Sequence, residues 1–129
     1  MFKELLEMAE QQAEPQRMLL LFAKAEGVSK KAATDKDPKR GTIEPRMCVD
    51  KLPSELSTFD ALVKEADSVE KDWNFVFVAG LSGINGVAPS TDMAEPYLNK
   101  MTNDLASGQN IAQYVVFDRD GQPIEMMVN

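Results

Sequence analysis

The stretch GLSGING, residues 80–86, places three glycines, a serine and an asparagine directly behind the apolar run NFVFVA. Glycine-rich turns between a strand and a helix can present backbone N–H groups to a phosphate. A nucleotide P-loop also needs a Lys-Ser or Lys-Thr pair, and a dinucleotide loop needs G-x-G-x-x-G; the stretch has neither pattern. Two interpretations stay open: a strand-to-helix loop in which Gly83 and Gly86 take left-handed backbone angles, which is favoured, or a small-anion site that includes Ser82, Gly83, Asn85 and Gly86.

A second set of reactive side chains lies in RMCVDK, residues 46–51. Alternation along a strand places Cys48 and Asp50 on one face with Arg46, and Lys51 on the other. A nucleophilic cysteine needs a lowered pKa, so we favour a small buried cysteine on a strand. Ligands of open α/β sheets lie beyond the carboxyl ends of strands, so a ligand at the glycine loop is expected to reach Asp50 and Lys51 as well.

Several chemistries are excluded by composition. The chain has no histidine, so it can form neither a histidine-dependent triad nor a Cys–His pair. The acidic residues are scattered, and DRDGQP, residues 118–123, lacks the later glutamate of a calcium loop. We therefore predict no metal site and no cofactor; enzymatic activity stays open, but a protein without it is favoured.

The charge distribution bears on partners and location. The net charge of −7 repels nucleic acid and anionic membranes. Residues 30–46 hold six basic and three acidic residues, a net +3, so the remainder carries −10. This basic stretch favours a solvated surface over a contact with an acidic partner, and it has no aromatic residue to stack a base. The first 17 residues carry acids and lack the uncharged core typical of a signal peptide, and no apolar run reaches about 20 residues, so we expect neither a signal peptide nor a membrane span. A cytoplasmic location is predicted, and the single cysteine agrees with it.

The first half of the chain predicts a helix and two strands. A length of 129 residues predicts a single domain over 1–129. Apolar residues at helical spacing predict a helix over 2–12. QRMLLLFAKAE, residues 16–26, reads as a buried strand, although a helix stays open. Residues 27–45 form a polar loop that can be mobile and suits the tip of a hairpin, and residues 46–51 return as a short strand.

The second half predicts two helices and three strands. Ser57 is expected to cap a helix that ends near Lys71. WNFVFVAG, residues 73–80, has apolar residues on both parities, which indicates a central strand buried on both faces. A further helix begins at Pro96, after a separate turn at 90–94, and ends at Gly108; its buried stripe is expected to comprise Tyr97, Met101, Leu105 and either Ala94 or Leu98. Residues 111–118 and 123–128 form a hairpin around Asp120-Gly121.

These elements predict an α+β fold. We expect a single mixed sheet of about five strands, two crossover helices that each join two strands, and an additional N-terminal helix. The two hairpins supply the antiparallel pairs at the edges of this sheet.

Four segments of the sequence together carry a resemblance to a known family: EPQRMLLLFAKAE (14–26), MCVDKLPSEL (47–56), WNFVFVAGLSGINGVAP (73–89) and FDRDGQPI (117–124). Through them the chain resembles a family of small uncharacterised proteobacterial proteins, some of which carry a label linking them to the ribonucleotide reductase alpha subunit. Such reductases resemble large barrel enzymes with several redox cysteines. For a chain with one cysteine, the resemblance implies at most an accessory protein.

The favoured function is therefore protein interaction, with another protein or with a second copy as a homodimer. The final stretch IEMMVN supports this expectation, because a terminal edge strand can pair across a dimer axis and methionine-rich surfaces adapt to partners. The alternative is a protein or enzyme that binds a small anion or a nucleotide with the glycine loop 80–86.

Overall fold

A computed structural model describes residues 2–26, 42–108 and 114–124. Within these ranges five strands form one sheet in the order β2-β1-β3-β4-β5. The elements are α1 (Phe2–Glu10), β1 (Gln16–Glu26), β2 (Thr42–Lys51), a 3₁₀ turn (Pro53–Glu55), α2 (Phe59–Asp67), β3 (Phe75–Ser82), α3 (Thr91–Ser107), β4 (Val115–Asp118) and β5 (Pro123–Ile124). The α+β class, the single five-stranded sheet and the N-terminal helix are confirmed.

Helices cover both faces of the sheet. Odd-numbered residues of β1, such as Leu19 and Leu21, pack with Leu98 and Met101 of α3. Even-numbered residues of the same strand pack with apolar residues of α1 and α2; this second cluster includes Phe2, Leu6, Leu20, Phe22, Leu62 and Ala66. Phe75 to Val78 of β3 are all buried, as predicted for a central strand. Burial on both faces also explains why residues 16–26 form a strand and not a helix.

The strand directions differ from the predicted mixed pattern. All four pairings among the described strands are antiparallel. The reason is the long pairing of β1 with β2, which places β1 between β2 and β3. Since β2 and β3 both run opposite to β1, they point the same way, and α2 crosses over β1 to join them. In contrast, α3 joins the adjacent antiparallel strands β3 and β4, so it is not a crossover helix.

The second strand begins earlier than predicted. β2 starts at Thr42, not at residue 46, because Thr42 to Pro45 pair with the end of β1 and Ile43 is buried there. An irregularity in the register follows, between Phe22 and Ala23. The predicted loop 27–45 was therefore too long at its C-terminal end, and its residues 27–41 lie outside the described part of the chain.

Two helix starts also differ. The cap of α2 is Thr58, whose hydroxyl accepts from the Ala61 N–H at 3.1 Å, and not Ser57; α2 ends at Asp67, before the expected Lys71.

The start of α3 lies before the predicted Pro96. Ser90 caps this helix, accepting from the Met93 N–H at 3.2 Å, and Pro96 lies inside it. The additional turn buries Ala94 completely, which offsets the hydrogen bond that Pro96 cannot donate. Gly108 ends α3 with φ of 74°, as predicted. Tyr97, which we expected in the buried stripe, is 52% exposed.

The C-terminal hairpin forms around a turn in which Gly121 has φ of 80°. Its predicted extensions, residues 111–113 and 125–128, lie outside the described residues. The turn is attached to the sheet by Arg119, whose guanidinium lies 4.2 Å from the centre of the Trp73 ring and donates to Asp67 at 2.6 Å and to the Trp73 carbonyl at 3.0 Å. One side chain thus joins the hairpin to the end of α2 and to the residues before β3.

We expect Arg119→Ala to lower the free energy of unfolding by about 2 kcal/mol, because charge-assisted hydrogen bonds and a cation–π contact are lost together. Trp73 is the only tryptophan. Its fluorescence should shift to longer wavelength as water reaches the ring. Arg119→Lys keeps the charge but not the forked geometry, so it should recover only part of the loss. An alanine variant with unchanged emission and stability would contradict this role.

Candidate functional site

The predicted site residues gather at the end of the sheet where β1 begins and β2 and β3 end. Because β1 runs antiparallel to both neighbours, Gln16 pairs with Ser82 on one side and Leu19 pairs with Asp50 on the other. The loops that follow β2 and β3 therefore flank the start of β1. This arrangement places the glycine loop and the end of RMCVDK at the same end of the sheet, with β1 between them.

The glycine loop contains a tight β-turn. Ile84 and Val87 exchange backbone hydrogen bonds of 3.0 and 3.1 Å. Between them Asn85 and Gly86 have φ of 54° and 78°, the positive values that a type I′ turn requires at both central positions. Asn-Gly is a strong sequence signal for this turn. Asn85-Gly86 therefore predicts this turn, but we interpreted the segment as a linker between strand and helix.

The glycines of this loop have different roles. Gly86 has the left-handed backbone that we expected of it. Gly83 does not have a positive φ, so that part of the expectation was wrong. Glycine is required at position 83 because a Cβ atom there would lie 2.0 Å from the Val87 carbonyl oxygen. Two backbone segments approach too closely at this point for any side chain.

Backbone N–H groups of the loop are bound by the chain itself. Gly83 donates to the Pro15 carbonyl at 2.8 Å, and Gly86 donates to the Glu14 carboxylate at 2.9 Å. The Ser82 hydroxyl accepts from the Gln16 side chain at 2.8 Å. An added anion would have to displace Glu14 from the Gly86 N–H. This geometry supports the interpretation as a structural loop.

Asp50 lies in a partly buried polar network. Its carboxylate is 2.7 Å from the Arg17 guanidinium and accepts from the Thr91 hydroxyl at 2.9 Å. Arg17 also donates through Nε to the carbonyl oxygen of Pro89. The Arg17 and Asp50 side chains are only 13% and 12% exposed. This network ties the start of β1 and the end of β2 to the first turn of α3.

Lys51 points to the opposite face of the sheet. Its ammonium group lies 2.8 Å from Glu65 of α2. The structure therefore separates Lys51 from Asp50 and brings Asp50 to Arg17 and Thr91, which sequence reasoning missed. One feature of the sequence could have indicated a role for Arg17. It is a charged residue directly before the apolar run Met18 to Ala23, which is buried in the structure.

Cys48 is exposed, so the expectation of a buried cysteine was wrong. β2 is the edge strand of the sheet, which leaves the residue accessible. Partial desolvation, and secondly the charge of Asp50, raise the pKa of the Cys48 thiol. Arg46 does not counter this effect, because its guanidinium pairs with Asp72 at 2.8 Å and with Glu44 at 3.4 Å. The thiol is accessible, and its raised pKa lowers the fraction present as the reactive thiolate at a given pH.

We expect iodoacetamide to alkylate Cys48 more slowly in the folded protein than in the same chain unfolded in urea, at a pH near the ordinary thiol pKa. A raised pKa lowers the thiolate fraction at that pH, and only the thiolate reacts. The difference should shrink as the pH rises above the folded pKa. Mass spectrometry of timed samples measures both rates. Faster alkylation of the folded protein would contradict the raised pKa.

A groove lies beside these residues. Its volume is about 480 Å³. It is bounded by the end of α1, the start of β1, the 3₁₀ turn and the segment that leads into α3. The lining residues are Ala9, Glu10, Pro15, Gln16, Leu52, Pro53, Ser54 and Ala88. None of the six residues predicted to bind a ligand lines this groove, although Gln16 binds Ser82 directly.

Within residues 2–26, 42–108 and 114–124, no cluster of three or more cysteine, aspartate or glutamate side chains is placed to hold a metal ion. No helix in the described part of the chain has the length and apolar character to cross a membrane. Comparisons with protein-family models, with curated proteins and with solved structures give no match to this chain.

Proposed function

We propose that this chain is a protein-interaction protein that binds its partner through apolar side chains exposed between residues 84 and 97. The carrying observation is the exposure of four large side chains: Ile84 at 69%, Val87 at 68%, Met93 at 55% and Tyr97 at 52%. Single exposed apolar residues are ordinary, but a group of them in one segment is typical of a binding surface. Aromatic residues and methionine are also enriched at interfaces.

The turn that carries Ile84 and Val87 is preorganised. These two residues are a directly hydrogen-bonded pair across the turn, so their side chains lie on the same side of it. The turn is held by the Glu14 carboxylate on the Gly86 N–H and by the close backbone approach at Gly83. A rigid pair of apolar side chains loses little conformational entropy on binding, which favours affinity.

Met93 and Tyr97 form a second pair of exposed apolar side chains, on α3. They are four residues apart in the helix and therefore lie on one face of it, one turn from each other. The buried residues of α3, including Ala94 and Leu98, point to the sheet and hold the helix in place. The Met93 and Tyr97 side chains therefore do not take part in the packing of α3 against the sheet, and this supports a role for them in binding.

The test replaces the exposed pair with serine. Ile84→Ser/Val87→Ser should fold as the parent chain does, because neither side chain is buried. The matched control is Val69→Ser, which removes a valine that is 77% exposed beyond the end of α2. In quantitative pull-downs from cells that express the protein, the control should retain the same partners and the double variant should lose them. Equal retention by both variants would overturn the proposal.

The alternative proposal is a small-anion or nucleotide site, with or without enzymatic activity, in the glycine loop. One observation favours it: the Gly86 N–H already binds a carboxylate, that of Glu14, at 2.9 Å. Thermal-shift screening against nucleotides, sugar phosphates and inorganic phosphate tests it. Glu14→Gln should strengthen any stabilisation by an anion, because the competing charge is removed. An unchanged melting temperature for both proteins would reject this alternative.

We also propose a cytoplasmic location and an accessory role without catalysis. The single cysteine supports the location. The resemblance to uncharacterised proteobacterial proteins supports the accessory role. Homodimerisation through IEMMVN remains a prediction, because residues 125–129 of that stretch lie outside the described residues.

A further inference from the structure

We infer that the groove at the start of β1 binds the basic segment of a second copy of this chain, residues 30–40. This inference goes beyond the proposed function, because it concerns the groove and not the exposed side chains of residues 84–97. It rests on the shape of the groove, the charges around it and the distance from the groove to the only strongly basic segment of the chain.

The groove suits a short stretch of extended chain. Five of its lining residues are apolar and of small or moderate size: Ala9, Pro15, Leu52, Pro53 and Ala88. Its polar lining residues are Glu10, Gln16 and Ser54. A volume of about 480 Å³ accommodates a few side chains of a peptide and not a whole element. The segment 30–40 contains two alanines, a threonine and a proline between its charged residues, which fits walls of this kind.

The charge around the groove is negative. Glu10 is exposed in its lining, and Glu14 immediately precedes the lining residue Pro15. Glu55 follows the lining residue Ser54, and its carboxylate accepts from the N–H of the lining residue Leu52 at 2.8 Å. In addition, α1 ends at Glu10, and the carboxyl end of a helix carries a partial negative charge.

Two basic residues adjacent in sequence to lining residues, Arg17 and Lys51, do not offset these acids, because each already has a carboxylate partner. Arg17 lies 2.7 Å from Asp50, and Lys51 lies 2.8 Å from Glu65. The groove therefore favours a cationic occupant. Within this chain the strongest source of positive charge is the segment between β1 and β2. Residues 27–41 hold five basic residues and two acidic ones, a net +3: Lys30, Lys31, Lys36, Lys39 and Arg40 against Asp35 and Asp37.

This segment cannot reach the groove of its own molecule. The groove contains Gln16, the first residue of β1, whereas the segment leaves the sheet after Glu26, the last. Ten residue steps of strand separate these points by about 33 Å. Among the basic residues of the segment, Lys36 is separated by the most residues from the nearer of the two strands, since six residue steps join it to Thr42. A fully extended chain of six residues spans about 22 Å, so Lys36 can lie at most that far from Thr42. The gap of about 11 Å exceeds the length of a lysine side chain, so the occupant must come from a second copy.

A synthetic peptide of residues 27–41 provides the direct test. Added at millimolar concentration to the full chain labelled with ¹⁵N, it should shift the amide signals of Ala9, Glu10, Gln16 and Ala88. High salt should weaken these shifts, because the attraction is between exposed charges. A control peptide in which the lysines are replaced by glutamate should leave them unchanged. No shifts, shifts that map to other residues, or equal shifts with the control peptide would each overturn the inference.

Charge reversal at the groove gives the second readout. Glu10→Lys should preserve the fold, since a cation suits the end of a helix, and should weaken peptide binding at least several-fold. The matched control, Glu95→Lys, reverses an exposed acid on α3 and should bind the peptide as the parent chain does. Light scattering should show dimers of the parent chain and of the Glu95 variant at high concentration, and monomers of the Glu10 variant. Equal peptide affinity or equal dimerisation of the two variants would contradict the inference. Ile84→Ser/Val87→Ser should still bind the peptide, so this inference and the proposed function can fail separately.

Discussion

Asp50→Ala is expected to lower the free energy of unfolding by about 3 kcal/mol, more than any exposed substitution in this chain. The substitution leaves the Arg17 guanidinium, with a side chain only 13% exposed, without the carboxylate that lies 2.7 Å from it. It also removes the acceptor of the Thr91 hydroxyl at the start of α3. Removing one member of a largely buried pair is costly because the remaining charge cannot regain its hydration. Urea denaturation followed by circular dichroism measures the loss.

Two control substitutions separate this effect from a general sensitivity to charge. Asp72→Ala removes an acid that pairs with Arg46 at 2.8 Å but is itself 51% exposed, and it should cost less than about 1 kcal/mol. Arg17→Met/Asp50→Leu removes both charges of the buried pair, so it should cost much less than the sum of the two single substitutions to alanine. If the losses were additive, the two charges would not stabilise each other.

Gly83→Ala should cost about 3 kcal/mol, because the added methyl group meets backbone and not a flexible side chain. Its carbon would lie 2.0 Å from the Val87 carbonyl oxygen and 2.8 Å from the carbonyl carbon. Relief of this overlap requires the turn to move away from β3. That movement breaks the hydrogen bonds between Ile84 and Val87 and strains the bond from Gly83 to Pro15. Urea denaturation gives the loss, and the amide signals of residues 84–87 should shift.

Gly86→Ala is the matched control, three residues away in the same loop. No atom lies within 4 Å of the position that its Cβ would take, but its φ is +78°. It should therefore lose only the cost of a left-handed alanine, about 1 kcal/mol. The expected order is a larger loss at position 83 than at position 86. The reverse order would contradict the role of close approach to the Val87 carbonyl at position 83.

Local patterns in the sequence predicted the elements that do not depend on distant partners. Apolar residues on both parities of NFVFVA indicated a strand buried on both faces, and β3 is such a strand. Asp120-Gly121 indicated the C-terminal turn, and Gly121 has the positive φ that the turn requires. Errors of a few residues arose where neighbouring residues competed for one role. Thr58 caps α2 in place of Ser57, and burial of Ala94 extends α3 to the N-terminal side of Pro96.

The candidate site depended on longer-range contacts. Arg17 and Asp50 are 33 positions apart in the chain, and no local pattern pairs them. The groove likewise joins the end of α1 to residues that follow β2 and precede α3. Asn85-Gly86 is the exception, since its turn signal is local. The preceding strand and the following helix led us to interpret it as a linker.

By itself the sequence determined most of the strand and helix segments, because periodicity and turn residues act within a few positions; residues 16–26 were left open between the two. It also determined the charges that limit the choice of partners. Only the tertiary structure decided that every described strand pair is antiparallel and that Asp50 pairs with Arg17. The physical reason is that strand order and side-chain pairing depend on which surfaces pack together, and that choice involves residues far apart in the chain.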